Sequence, residues 1–173
     1  IVHGIPSVKR VLKTGDIISV DVGAVVGGFH ADSAFTVSIG NVDERVRKLI
    51  TDTSESLKCG IDKAVPAGRI GDISAAVQRY AEDRGYGVVR QYVGHGIGRA
   101  LHEDPQIPNY GEHGKGIQLR EGMTIAIEPM LNLGTWKTQV EDDGWTVVTA
   151  DGSLSAHFED TVAITNNGPE VLT

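Results

Sequence analysis

The sequence lacks several things, and each lack excludes a class of protein. It has one cysteine in 173 residues, Cys59, so no intrachain disulfide is available. Such sparing use of cysteine fits a reducing compartment, and a cytoplasmic location is expected. No apolar run approaches the roughly 20 residues that a membrane-spanning helix needs, and no stretch reads as a secretory leader. A membrane partner is therefore not expected. There is no cationic excess either. Lys and Arg number 16 against 23 Asp and Glu, a net charge of -7, which argues against nucleic acid or an anionic surface as a direct partner. Linkers, low-complexity stretches and charge blocks are missing too. With 40% hydrophobic and 23% charged residues, the expectation is one globular domain over residues 1–173.

What is present begins with "DIISVDVGAVVGGFHADSAFTV", Asp16 to Val37. Two Val- and Ile-rich runs flank Gly27-Gly28, a hairpin signal. A turn centred on Val26-Gly27 sets Asp21 directly opposite Asp32, inside what reads as two buried strands. Like charges so placed repel, and burying them is costly. A cation between them would remove both penalties.

Farther along, Val46, Leu49, Ile50, Leu57 and Ile61 recur at helical spacing, with Asn41 or Asp43 as cap and Pro66-Ala67-Gly68 as stop. A second helix runs through "GDISAAVQRYAEDRG", with Asp72 as N-cap, a stripe of Ile73, Ala76, Val77 and Tyr80, and Gly85 as stop. "GVVRQYV" reads as a strand leading into "GHGIG". His102 to Lys115 reads as loop, and "GMTIAIEPML" and "GWTVVTADGSLSAHFEDTVAIT" read as strands. Strand runs beside a helix pair predict an α+β layer fold, with helices on one face of a mixed, mostly antiparallel sheet.

Three further side chains are as out of place as the two aspartates. His95 sits among Gly94, Gly96 and Gly98 at a strand end. Glu128 precedes Pro129, which favours extended backbone, and Glu159 lies in a β pattern. Alone, each has an ordinary explanation, such as a hydrogen bond to backbone, a solvated edge or a loop histidine. Together they are four carboxylates and one imidazole on strands of one sheet. That donor set suits a first-row divalent metal, Mn, Fe, Co or Zn. Five donors, several able to bridge, suit two ions. A dinucleotide site at "GHGIG" is excluded, because no helix or βαβ unit follows. His95 and His102 are not spaced as in a helical H-E-x-x-H site.

The segments "HGIP", "DIISVDVGA", "HADSAFTV", "YVGHGIGRALHEDPQIPNYG", "GMTIAIEPML" and "EDDGWTVVTADGSLSAHFEDTV" together resemble the bacterial type I methionine aminopeptidases. The likeness runs over essentially the whole chain. It implies the pita-bread fold, a curved sheet with helices outside it, and removal of N-terminal methionine before a small second residue by a metal-bridging water. It places the metal ligands on Asp21, Asp32, His95, Glu128 and Glu159, the set reached above. It also gives catalytic roles to His102, Glu128 and His3, and substrate contacts to His3, His102, Trp145 and Leu101. Leu101 stands where some members carry Phe, and Asp160 where His is common. In the family a first helix pair precedes the "HGIP" motif, whereas this chain begins there, without Met and within what reads as a strand. An N-terminal segment is therefore expected to be missing, leaving part of one sheet face uncovered. The expected partners are peptide and nascent-polypeptide N-termini, with the ribosome approached only through that substrate and a monomer formed when the N-terminal segment is present. Competing readings are a prolidase or aminopeptidase P-like enzyme and a non-catalytic peptide-binding relative or inactive fragment. For His30, His113 and His157 solvated or supporting roles are expected, and for Cys59 a packing role.

Overall fold

The computed structural model describes residues 1–173. Strands β1 (Ile17–Val26) and β2 (Phe29–Ser38) form the first hairpin. Gly27 and Gly28 take φ of 59° and 82°. A tight hairpin turn of this kind needs positive φ at both central residues, which β-branched Val26 resists. The turn is therefore Gly27-Gly28 rather than Val26-Gly27, and the register moves by two. Asp21 pairs with Ala34, and Asp32 with Gly23. The aspartates are diagonal neighbours instead of direct opposites. A two-residue shift preserves the face, so both still project to the same side.

The expectation of two buried strands holds for one face of β2 only. Asp32, Ala34 and Thr36 are buried, while Val22, Val26, Phe29, Phe35 and Val37 are exposed, Val26 at 77%. On that outward side the Arg99 guanidinium lies over the Phe29 ring, 4.1 Å from its centroid. No strand occurs before Ile17. The first residues run beside Val147 instead, whose backbone bonds Ile1 and His3.

Helix α1 (Glu44–Ile61) is capped by Asp43, which accepts from the Val46 N–H at 3.0 Å. It buries Val46, Leu49, Leu57 and Ile61. Helix α2 (Ile70–Glu82) starts earlier than expected. Arg69 is its N-cap, and Asp72, two residues inside, accepts the Arg69 N–H at 2.8 Å and the Gly114 N–H at 2.7 Å. Asp72 thus reaches back from the first turn to the N–H of the N-cap residue, as the third helical residue of a capping box does.

The other strands are β3 (Gly87–Val88), β4 (Gly94–Gly96), β5 (Glu103–Ile107), β6 (Thr124–Ile127), β7 (Met130–Asn132), β8 (Thr138–Val140), β9 (Val147–Thr149), β10 (Ser155–His157), β11 (Glu159–Thr165) and β12 (Gly168–Val171). The main sheet runs β1-β2-β11-β6-β4-β5, with β12 also on β11. Strands β10-β7-β3 form a second sheet and β8-β9 a third. Every pairing is antiparallel, so the mostly antiparallel sheet expected is found, with no parallel pair in it. β5 falls within the stretch read as loop. Pro105 concealed it, and an edge strand tolerates a proline that a central one does not.

Leu57, Ile61, Ile70 and Ile73 from the helices meet Ile107, Ile125, Ile127, Val162 and Ile164 from the main sheet in the larger core. A smaller core joins Leu49 and Ala81 to Tyr86, Val88, Leu131 and Ala156. Because strand side chains alternate, Ile125 and Ile127 turn to the helices while Ala126 and Glu128 turn away. His95 pairs with Ala126 and shares that opposite face.

Candidate metal centre

The alternation that builds the core also assembles a cleft on the other side of the sheet. Of about 860 Å³, it is lined by His3, Asp21, Asp32, His95, Leu101, His102, Glu128, Trp145 and Glu159, among others. All nine residues singled out in the sequence therefore meet in one cavity. Gly94 and Gly96 make the approach possible. A Cβ on Gly94 would fall 2.2 Å from the Ala126 carbonyl oxygen, and one on Gly96 2.3 Å from that of Asp104.

The donors converge on His95. Its Nε2 lies 3.9 Å from Asp32 Oδ2, 3.8 Å from Glu128 Oε1 and 4.0 Å from Glu159 Oε1. Its Nδ1 donates to the Gly96 carbonyl at 2.9 Å. In the neutral ring that bond fixes the tautomer and leaves the Nε2 lone pair facing three carboxylates. Donors facing donors call for an electron-pair acceptor among them. Glu159 Oε1 is buried with no hydrogen-bond partner. Asp32, His95 and Glu159 bring donor atoms within 4.8 Å of one another, as do Glu128, His157 and Glu159. These residues fit a divalent cation.

The electrostatics agree. Burial, then the charges of Asp21 and Asp32, raise the Glu128 carboxyl above the ordinary range, against the pull of His95. Glu159 is raised in the same way, by burial first and then by Glu128. Asp21, half-exposed at the cleft mouth, is raised by burial and by Asp32. Without a cation this group resists full ionisation, and with one the penalty reverses.

Hydrogen bonds hold the donors in place. Thr161 Oγ1 accepts the Asp32 N–H at 2.9 Å and donates to the Asp32 carbonyl at 2.8 Å. Asn109 Nδ2 donates to the Glu128 carbonyl at 3.0 Å. His102 meets His95 edge-on, with ring centroids 4.5 Å apart. His3 stacks on Trp145 at 5.0 Å, and its Nδ1 is 3.8 Å from Asp21 Oδ2.

Thr36, Asn109, Thr161 and His157 were not singled out in the sequence as parts of the site. A lone Thr or Asn in a strand or loop carries no signal. For His157 a signal existed, since alternation puts it on the same side as Glu159. It is fully buried rather than solvated. His113, by contrast, is exposed and bonded to Asp72, and His30 is half-buried.

Comparison with known proteins agrees with this geometry. The model of metallopeptidase family M24 matches residues 1–166. Methionine aminopeptidase of Clostridium acetobutylicum is 56% identical over 173 residues, all of this chain and 69% of that protein. Methionine aminopeptidase 1 of Bacillus subtilis is 53% identical, again over the whole chain and 69% of its own length. The crystal structure of methionine aminopeptidase from Thermotoga maritima superposes with a TM-score of 0.95 at 53% identity, over 98% of this chain and 68% of that one. Prolidase from Pyrococcus furiosus is more distant, with a TM-score of 0.73 at 27% identity over 92% of this chain and 42% of that one. With its antiparallel pita-bread sheet, two helices and convergent acidic cleft, the chain belongs to metallopeptidase family M24.

Proposed function

We propose that this chain is a metal-dependent aminopeptidase that removes N-terminal methionine from peptides and nascent proteins, acting as a single catalytic domain over residues 1–173. The observation that carries the reading is the convergence of Asp21, Asp32, His95, Glu128 and Glu159 in one cleft, in a chain more than half identical to methionine aminopeptidases along its whole length. These five side chains would hold two first-row divalent ions, Mn, Fe, Co or Zn. Bound there, the metal lowers the pKa of a water and polarises the scissile carbonyl.

The chain's own residues do the rest. Glu128 accepts the proton that the attacking water loses. His102, on the cleft wall beside His95, donates a hydrogen bond to the carbonyl oxygen as it gains charge. His3, held flat against Trp145, contacts the substrate amide nitrogen and assists the leaving amine. Trp145 and Leu101 receive the methionine side chain, and the cleft favours a small second residue. The reading places the protein in the cytoplasm, reaching the ribosome only through its substrate. No helix of the structure is long and apolar enough to cross a membrane.

Hydrolysis of Met-Ala-Ser by the purified chain, paired with elemental analysis, tests this. Turnover with two bound metal equivalents is expected. Cleavage of an Xaa-Pro dipeptide in place of Met-Ala-Ser would overturn it in favour of the prolidase-like reading, and bound metal without any turnover in favour of a binding protein.

A further inference from the structure

Glu128 stands between two imidazoles. Its Oε1 is 3.8 Å from His95 Nε2, and its Oε2 is 3.5 Å from His157 Nε2. His95 lines the cleft and His157 does not. The His157 ring lies behind the carboxylates at 1% exposure, and neither of its nitrogens has a hydrogen-bond partner in the chain. A buried polar group without a partner costs stability and asks for a reason.

The backbone of His157 is fastened with care. Its N–H donates to Thr36 Oγ1 at 2.9 Å, its carbonyl lies 2.9 Å from the same oxygen, and Ser19 Oγ braces that hydroxyl at 2.7 Å. One threonine thus joins the end of β10 to the aspartate-bearing hairpin. A neutral imidazole offers one N–H and one lone pair. Phe158 and then Glu159 follow at once, so the same short segment supplies both His157 and a donor of the cleft.

We propose that His157 is a positioning residue of the metal centre: its Nε2–H engages Glu128 Oε2 and turns Oε1 toward His95 and the cleft. This rests on the reading that the five donors hold metal. A direct ligand role is the rival, since the Glu128, His157 and Glu159 donor atoms lie within 4.8 Å of one another. The ring's place behind the cleft wall favours positioning. Groups of this kind fix the carboxylate's orientation, and losing one lowers metal affinity by about 10–100-fold.

The test is calorimetric titration of the metal-free full chain with Co(II), with the visible spectrum of the Co(II) form as second readout. His157→Leu keeps the bulk and removes the N–H, and is expected to weaken binding by that factor. His157→Gln keeps an N–H donor, and is expected to restore most of the affinity with an unchanged spectrum. Circular dichroism checks folding. Should the Leu variant not fold, His157→Asn, whose amide falls short of Glu128, takes its place. Equal affinity in wild type and His157→Leu would overturn the role of His157 alone. A spectrum in His157→Gln that has lost a nitrogen donor would overturn positioning in favour of ligation. A wild-type chain that takes up no Co(II) would overturn the metal-site reading itself.

Discussion

His95, Glu128 and Glu159 stand on strands whose reverse sides are packed beneath two helices, whereas Asp21 and Asp32 stand on a hairpin whose reverse side is largely exposed. The two groups reach the same cavity by different physical means. The first is placed by packing, because moving Glu128 would drag Ile127 out of a filled core. The second is placed by turn chemistry and a few hydrogen bonds, chiefly Gly27-Gly28 and Thr161. Mutations should therefore separate position from support.

The largest effect is expected at the donors. Asp32→Ala or Asp21→Ala should abolish hydrolysis of Met-Ala-Ser and remove at least one metal equivalent by elemental analysis. Unchanged turnover in either would dissolve the comparison altogether. Next comes the packed side. Leu57→Ala should cost about 2–5 kcal/mol in urea unfolding, from lost burial and the cavity left behind.

Stability against pH separates the groups in a different way. A carboxyl whose pKa is raised on folding holds its proton more tightly in the native state, so stability falls as pH rises from its unfolded value through the folded one. For Glu128 that window runs from 4.5 to about 8. The metal-free chain should accordingly melt lower at pH 8 than at pH 5, and Glu128→Gln should flatten the slope. The gain in melting temperature on adding Co(II) should be larger at pH 8, and a flat profile in the wild type would contradict the site's electrostatics.

On the hairpin, Thr161→Val leaves the Asp32 N–H and carbonyl short of a partner and should cost about 1–3 kcal/mol, with faster amide exchange at Asp32. Val26→Ser, on the outward face, should change stability by no more than about 0.5 kcal/mol. A larger loss there would mean that this face is covered in solution.

Much of this was legible in the sequence, for reasons that differ by residue. The helices could be read because Val46, Leu49, Leu57 and Ile61 repeat at a period that only a helix satisfies. The five donors could be read because charge in a β pattern is anomalous. The register of β1 and β2 was read two residues off, and the site survived the error because side chains alternate with period two. β5 was hidden by Pro105, since a sequence does not announce which strand is the edge. His3, His102, Leu101 and Trp145 came from family resemblance, and nothing in their spacing alone would have chosen them. His157 drew only the expectation of a solvated or supporting role, because a histidine in a short strand has many ordinary uses, and only the fold shows that this one lies between Thr36 and Glu128.

Thr161 sits opposite Asp32 where the ladder between β2 and β11 would take its next rung, after Ala34 with Glu159 and Ser33 with Asp160. There the sheet forks. The hydroxyl replaces the rung, and the chain's last residues enter the gap as Thr173 Oγ1 accepts from Thr161 N–H and reaches the Asp32 carbonyl. A fork is also a peg. Sliding the hairpin along its neighbour in either direction breaks the Asp32 bonds together with that from Ser33 Oγ to the Glu159 carbonyl, so the arm that carries two of the acids has one seat and no second notch.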